Sequence, residues 1–153
     1  MSKVSVILGS QSDLKQVEAG LKLLDDLNIG YELKVLSAHR NPDDLKEYVL
    51  GLEKRGFVIV IGCAGLSAAL PGVVSSHIDL PVIGVPLYSD YFKGMDSLLS
   101  ILQMPKGVPV GTMTVGSAGM VNAVILAARI LSLSDKKIKS NLKKYKVIMK
   151  SGR

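Results

Sequence analysis

The sequence predicts an α/β domain built on a mostly parallel sheet. Strand-like and helix-like segments alternate along nearly the whole chain. One of the strand-like segments, Phe57–Ile61, is continuously apolar, as a strand covered on both faces must be. The 153 residues are 48% hydrophobic and 21% charged, which fits a single globular domain over 1–153. Alternation of this kind implies parallel pairing through right-handed crossovers.

Each element has a local reason. Lys3–Leu8 is apolar and partly β-branched, and Gly9 ends it as a strand. Leu14, Val17, Leu21 and Leu24 recur at helical spacing until Asn28-Ile29-Gly30 stops the helix. Tyr31–Leu36 reads as a second strand. Asn41-Pro42-Asp43-Asp44 opens a helix, with Asn as cap, Pro at the first position and acids at the positive end. Leu45, Tyr48, Val49 and Leu52 form its buried face. After Phe57–Ile61 come a Gly/Ala loop and a short helix to about Ser76. Pro81–Val85 is a fourth strand, 86–95 a polar loop, and Ser97–Gln103 a short helix. Val108–Val115 reads as a fifth strand, Ser117–Leu131 as a helix, and Asp135–Met149 as a final helix.

Composition narrows the function. The chain goes straight from Met-Ser-Lys into a strand, so no signal peptide is expected, and no apolar run is long enough to span a membrane. With one cysteine, Cys63, no internal disulfide forms, and the expected compartment is the cytoplasm. No His, Asp and Glu cluster stands at metal-ligand spacing, and no Ser-His-acid spacing marks a triad. The net charge of +6 is local, because residues 135–153 carry eight basic side chains against Asp135 alone. With Ile138, Leu142, Tyr145 and Met149 on one stripe, that segment is an amphipathic helix with a solvated Lys face. It lacks the aromatic and Arg pattern of a nucleic-acid binder. The helix at 117–131 is apolar nearly all round, so a partner subunit covers it, or else it is sunk between the sheet and the last helix.

In such sheets ligands bind at the carboxyl ends of the strands, near a switch in strand order. That rule selects Gly9–Asp13, Ser37–Pro42, Gly62–Pro71 and Pro86–Gly94. The first loop carries Ser10, Ser12 and Asp13 at a helix start, where free N–H groups suit a phosphate or a sugar hydroxyl, although a capping loop has the same composition. The second carries Ser37, Ala38, His39 and Arg40. Arg presents a planar fork of donors to phosphate, and His exchanges protons near neutral pH. The third, with Gly65 and Leu66, lets a ligand lie against the backbone, or equally serves tight helix–sheet packing. Cys63 reads as a buried small hydrophobe and His77 as a surface or interface residue.

Taken together, these loops resemble the PurE family of purine biosynthesis. The resemblance is carried by Gly9-Ser10-Gln11-Ser12-Asp13, Ser37-Ala38-His39-Arg40-Asn41-Pro42, Ala64-Gly65-Leu66 and Leu70-Pro71-Gly72. It continues through Pro81–Pro86, Gly94–Pro105 and Gly107–Val110, and covers about residues 3–131 in order. It implies a three-layer flavodoxin-like fold with a C-terminal helix added, a homo-octamer, and no metal or organic cofactor. The implied activity is that of N5-carboxyaminoimidazole ribonucleotide mutase, which moves CO2 from the exocyclic nitrogen to ring carbon 4. The implied partner is a small ribonucleotide, with no nucleic acid and no membrane. Ser10 and Asp13 would hold the ribose phosphate portion, Arg40 the phosphate, and His39 would carry the proton. One position departs: mutases of the family usually read Ala-His-Leu-Pro-Gly where this chain has Ala68-Ala69-Leu70-Pro71-Gly72. Ser67 and Ala69 resemble members that carboxylate aminoimidazole ribonucleotide directly. Arg40 and Gly94–Pro105 resemble the mutases. A nucleotide-binding paralogue without catalysis is the third alternative.

Overall fold

The structure, a computed structural model, describes residues 3–152. Five parallel strands lie in the order β2-β1-β3-β4-β5. They are β1 (Lys3–Leu8), β2 (Gly30–Val35), β3 (Phe57–Ala64), β4 (Val82–Pro86) and β5 (Gly111–Thr112). The helices are α1 (Leu14–Asp26), α2 (Pro42–Leu50), α3 (Leu70–Ser75), α4 (Met95–Leu102), α5 (Ser117–Leu131) and α6 (Lys136–Lys150). This is the flavodoxin-like strand order, with its switch between β1 and β3.

The period of two along the central strands divides the core into two layers. Val4, Val6 and Leu8 of β1, with Ile59, Ile61 and Cys63 of β3, face α1, α5 and α6. Ile7, Phe57, Val60 and Ala64 face α2 and α3. Ser5 points the same way as Ile7 and is buried, its hydroxyl 2.9 Å from the Tyr48 hydroxyl. The sequence pattern places β1 with the bounds observed, and β2, β3 and β4 with bounds shifted by one to three residues.

The structure corrects two expectations. The fifth strand pairs through Gly111 and Thr112 only, in place of Val108–Val115. Pro109 has no N–H for a ladder, and its carbonyl is taken by the Ser75 hydroxyl at 2.7 Å. Beyond the strand, Met113 and Gly116 still donate to Gly84 and Pro86 of β4, both at 2.8 Å, in an irregular spacing. Asn41 occupies the cap position of α2, but its side chain makes no capping bond and turns instead to the Ser37 N–H.

α5 is covered largely by its own chain. Met120, Ala123, Val124, Ala127 and Ala128 are buried between the sheet, α1 and α6. Gly20 of α1 permits that closeness, since a Cβ there would stand 2.4 Å from Met120 Cγ. Val121, Ile125, Leu126 and Ile130 remain half-exposed. α6 begins at a true cap, Asp135, whose carboxylate accepts from the N–H groups of Lys137 and Ile138 at 2.8 and 3.1 Å. Ile138 and Leu142 are buried, but Met149, at the far end of the expected stripe, is exposed. No helix among the described residues is long and apolar enough to cross a membrane.

Candidate active site

β2 and β3 leave β1 on opposite sides, so the loops after β1 and β3 diverge and leave a crevice between them. The crevice is a cleft of about 380 Å³. All nine residues selected from the sequence line it: Ser10, Ser12 and Asp13 after β1, Ser37, Ala38, His39 and Arg40 after β2, and Gly65 and Leu66 after β3.

The β1 loop is a tight 3-10 turn over Gln11–Asp13. Ser10 is extended, its Oγ 2.9 Å from Ser12 Oγ, and the Asp13 N–H donates to the Ser10 carbonyl at 3.2 Å. Two hydroxyls and a carboxylate thereby face one small volume.

The β2 loop is closed on itself. The Ser37 N–H donates to Asn41 Oδ1 at 2.7 Å, and the Asn41 N–H donates back to the Ser37 carbonyl at 3.2 Å. Ser37 Oγ accepts from the N–H groups of His39 and Arg40 at 3.3 and 3.2 Å. This is what Asn41 does in place of capping α2. The loop's backbone groups are satisfied internally, so the exposed His39 and Arg40 side chains project from a fixed platform. Arg40 Nη2 donates to the Gly9 carbonyl at 2.6 Å and so ties this loop to the first.

Asp13 lies within the field of that guanidinium. Burial pushes its carboxyl above the ordinary value, while the Ser10 backbone bond and Arg40 pull the other way and do not fully offset it. Cys63, fully buried under the same loop, has its thiol pushed upward by burial and by Asp13. It is 3.8 Å from Met120 Sδ and behaves as a core residue. His77 is half-buried beyond the far end of α3 and does not line the cleft.

The third wall includes a strained residue. Leu66 has φ 54°, a left-handed conformation that costs a non-glycine residue on the order of 1 kcal/mol, and its side chain is exposed at the cleft. Ala68 and Leu70 continue this wall. The fourth comes from Tyr88 and Ser89, after β4. Gln16 of α1 clamps Tyr88 through its main chain, accepting from the Tyr88 N–H at 2.8 Å and donating to its carbonyl at 3.1 Å. Gly9, Ala68, Leu70, Tyr88 and Ser89 lie inside the loops the strand-end rule selects but were not singled out as site residues. The strand-end rule already pointed to the 86–94 loop, and Tyr88 and Ser89 stand two and three residues past the end of β4. Nothing in their residue types singled them out. Among the described residues, no three His, Cys, Asp or Glu side chains gather as metal ligands would.

Comparison with known proteins gives concordant results. The chain is 49% identical over 150 residues to an N5-carboxyaminoimidazole ribonucleotide mutase of Pyrococcus abyssi, covering 98% of this chain and 85% of that one. It is 50% identical over 139 residues to the protein of the same name from Bacillus subtilis, covering 91% and 86%. The crystal structure of Treponema denticola PurE superposes with a TM-score of 0.86 at 32% identity, covering 99% of this chain and 92% of that one. The family model described as AIR carboxylase matches residues 3–151, and the chain belongs to that family.

Proposed function

We propose that the protein is an N5-carboxyaminoimidazole ribonucleotide mutase of purine biosynthesis, producing 4-carboxy-5-aminoimidazole ribonucleotide. One observation carries the proposal: a proton carrier, His39, and a phosphate-binding fork, Arg40, stand side by side opposite two hydroxyls and a carboxylate in one cleft. The mutase relatives supply the substrate.

In this reading Arg40, with Ser10 and Ser12, takes the phosphate and ribose end. The carbamate then loses CO2: its N–C bond breaks, and the exocyclic nitrogen takes a proton from His39. Ring carbon 4 attacks the retained CO2, forming the new C–C bond. The proton left on carbon 4 returns to His39 and restores the aromatic ring. One imidazole thus serves as acid and then as base, with no net proton change. Leu66 and the apolar wall at Ala68 and Leu70 hold CO2 near carbon 4, so that recapture outruns escape. Ser37, Ala38 and Gly65 serve through backbone and shape. The resemblance further supports a cytoplasmic homo-octamer of this single domain, with the half-exposed side of α5 in a subunit contact.

The test is a side-by-side assay of purified protein. The N5-carboxylated nucleotide should be converted to its carbon-4 isomer faster than aminoimidazole ribonucleotide plus CO2 is carboxylated. Ser67 and Ala69 favour a second reading, direct carboxylation, and a clear preference for free CO2 would establish it. Absence of turnover on either substrate would leave a nucleotide-binding paralogue.

A further inference from the structure

We propose that Asp96 is a positioning residue for Ser89, and that Ser89 accepts a hydrogen bond from the exocyclic amine of an aminoimidazole ring in the cleft. This inference rests on the nucleotide reading above.

The segment Gly94–Pro105 shares in the family resemblance, yet none of its residues lines the cleft. It acts from behind. The buried Ser97 hydroxyl donates to the Leu87 carbonyl at 2.7 Å, and Ser100 Oγ reaches the carbonyl of Ala68 at 3.4 Å. α4 is therefore fastened by Ser97 to the loop after β4, whereas the Ser100 hydroxyl donates within its own helix, to the Ser97 carbonyl at 2.8 Å. Its first turn is also fixed in angle: Gly94 has φ 84°, and a Cβ there would stand 2.4 Å from Val115 Cγ1.

Asp96 lies in that first turn. Its Oδ1 is buried and has no hydrogen-bond partner among the described residues. Its Oδ2 is 3.5 Å from Ser89 Oγ, a long contact for a hydroxyl and a carboxylate, of the kind that shortens when a site is occupied. Asp96 is half-buried, with Oδ1 enclosed and Oδ2 facing the Ser89 hydroxyl, the donor within its reach, and in this proposal that hydroxyl commits its proton to Oδ2. That commitment fixes the Ser89 rotor. With its only proton turned toward Asp96, Ser89 can only accept from a group in the cleft.

An acceptor at that position selects a donor. The phosphate is an acceptor and belongs with Arg40 and the β1 loop, and the carboxylate, also an acceptor, cannot pair with another acceptor. Ser89 stands on a different wall, next to Tyr88, where the base end of the nucleotide would lie. The donor there is the exocyclic amine, the nitrogen from which the carboxyl group departs. Holding that N–H in place orients the nitrogen lone pair for the proton delivered by His39.

Calorimetric titration of the full chain with aminoimidazole ribonucleotide and with ribose 5-phosphate tests this. Ser89→Ala and Asp96→Ala should each weaken aminoimidazole ribonucleotide about five- to tenfold, the scale of one neutral hydrogen bond, and leave ribose 5-phosphate within about twofold. The double variant should bind no more weakly than Ser89→Ala. Asp96→Asn, which keeps an acceptor, should stay near wild type. Equal losses for both ligands, or a full Asp96→Ala loss in the Ser89→Ala background, would overturn the proposal. If Asp96→Ala does not fold, Ser89→Ala decides alone: unchanged discrimination between the ligands rejects the role. A wild-type protein that binds neither ligand rejects the nucleotide reading as well, whereas one that binds both while Ser89→Ala has no effect rejects this inference only.

Discussion

Arg40 donates to the carbonyl oxygen of Gly9 across the mouth of the cleft, at 2.6 Å, and so joins the two loops that flank the switch in strand order. The guanidinium is thus held in place before any ligand arrives, and its other N–H donors have no partner among the described residues. Replacing it removes both a phosphate partner and a loop tie. Arg40→Ala should weaken nucleotide binding by about 1.5–3 kcal/mol, the range for hydrogen bonds to a charged group. Arg40→Lys should recover only part of this, because a single ammonium cannot bridge carbonyl and phosphate as a planar fork does. Titration of nucleotide against the corresponding nucleoside checks it: equal affinities in the wild type would remove the phosphate site from Arg40.

His39 projects from a loop whose backbone bonds are made by Ser37 and Asn41, and its own side chain is exposed. Its removal should therefore spare the fold. His39→Gln is expected to keep the wild-type melting temperature and nucleotide affinity while turnover falls roughly 10²–10⁴-fold, the usual cost of an acid/base group. Near wild-type turnover in this variant would assign the proton to another group.

The sequence made the site legible because strand ends can be read locally. A Gly after β1 and a capping pattern before α2 announce their loops without any tertiary information. β5 was less legible, since a two-residue edge strand has no period of its own and Pro109 interrupts the run. Asn41 shows another limit. Its residue type predicts a cap, but the choice between capping α2 and closing the Ser37 loop is made by the path of the chain into the helix. The surroundings of α5 were legible only as an alternative, because an apolar helix needs cover and sequence does not say whether α1, α6 or another subunit supplies it. Asp96 was legible only as part of the Gly94–Pro105 resemblance, since its unpartnered oxygen is a consequence of packing.

Asp13 should make stability depend on pH in a defined sense. Burial raises its folded pKa above the ordinary 3.8. A carboxyl so shifted holds its proton more tightly when folded. Its favourable contribution is complete below the unfolded value and is lost as pH rises through the folded one. At neutral pH the charged Asp13 therefore costs stability. Asp13→Asn should be more stable than wild type at pH 7 in urea denaturation, with the gap closing as pH falls toward about 4. The same variant should bind nucleotide less well, since Asp13 belongs to the cleft for function. A variant less stable at pH 7 would contradict the burial effect.

Gly119 permits the close approach of α5 to the turn that precedes it. A Cβ there would lie 1.8 Å from the carbonyl oxygen of Thr114, a backbone atom that cannot swing aside. Gly119→Ala should cost about 1–3 kcal/mol in urea denaturation despite the better helix propensity of Ala. Gly30→Ala, whose added Cβ would meet only Lys3 Cγ at 3.8 Å, should stay within about 0.5 kcal/mol of wild type. Equal effects at the two positions would show that the α5 entry relaxes.

Ala69 stands between two residues of the cleft wall, Ala68 and Leu70, at the start of α3. Mutases of the family usually place a second His at this position. If His39 moves the proton alone, that imidazole is an aid and not a requirement. Ala69 is smaller than His, and a water with two or more polar partners can take the place of a ring nitrogen. Ala69→His should then raise mutase turnover or leave it unchanged, without altering the preference for the N5-carboxylated nucleotide over free CO2. Pro71 pre-sets φ in the first turn of α3, so the backbone has no reason to shift. Initial rates on both substrates at matched pH, for wild type and Ala69→His, give the answer. A wild type that prefers free CO2, converted by Ala69→His into one that prefers the carbamate, would make position 69 the switch between carboxylase and mutase. It would also overturn the assignment of proton transfer to His39 alone.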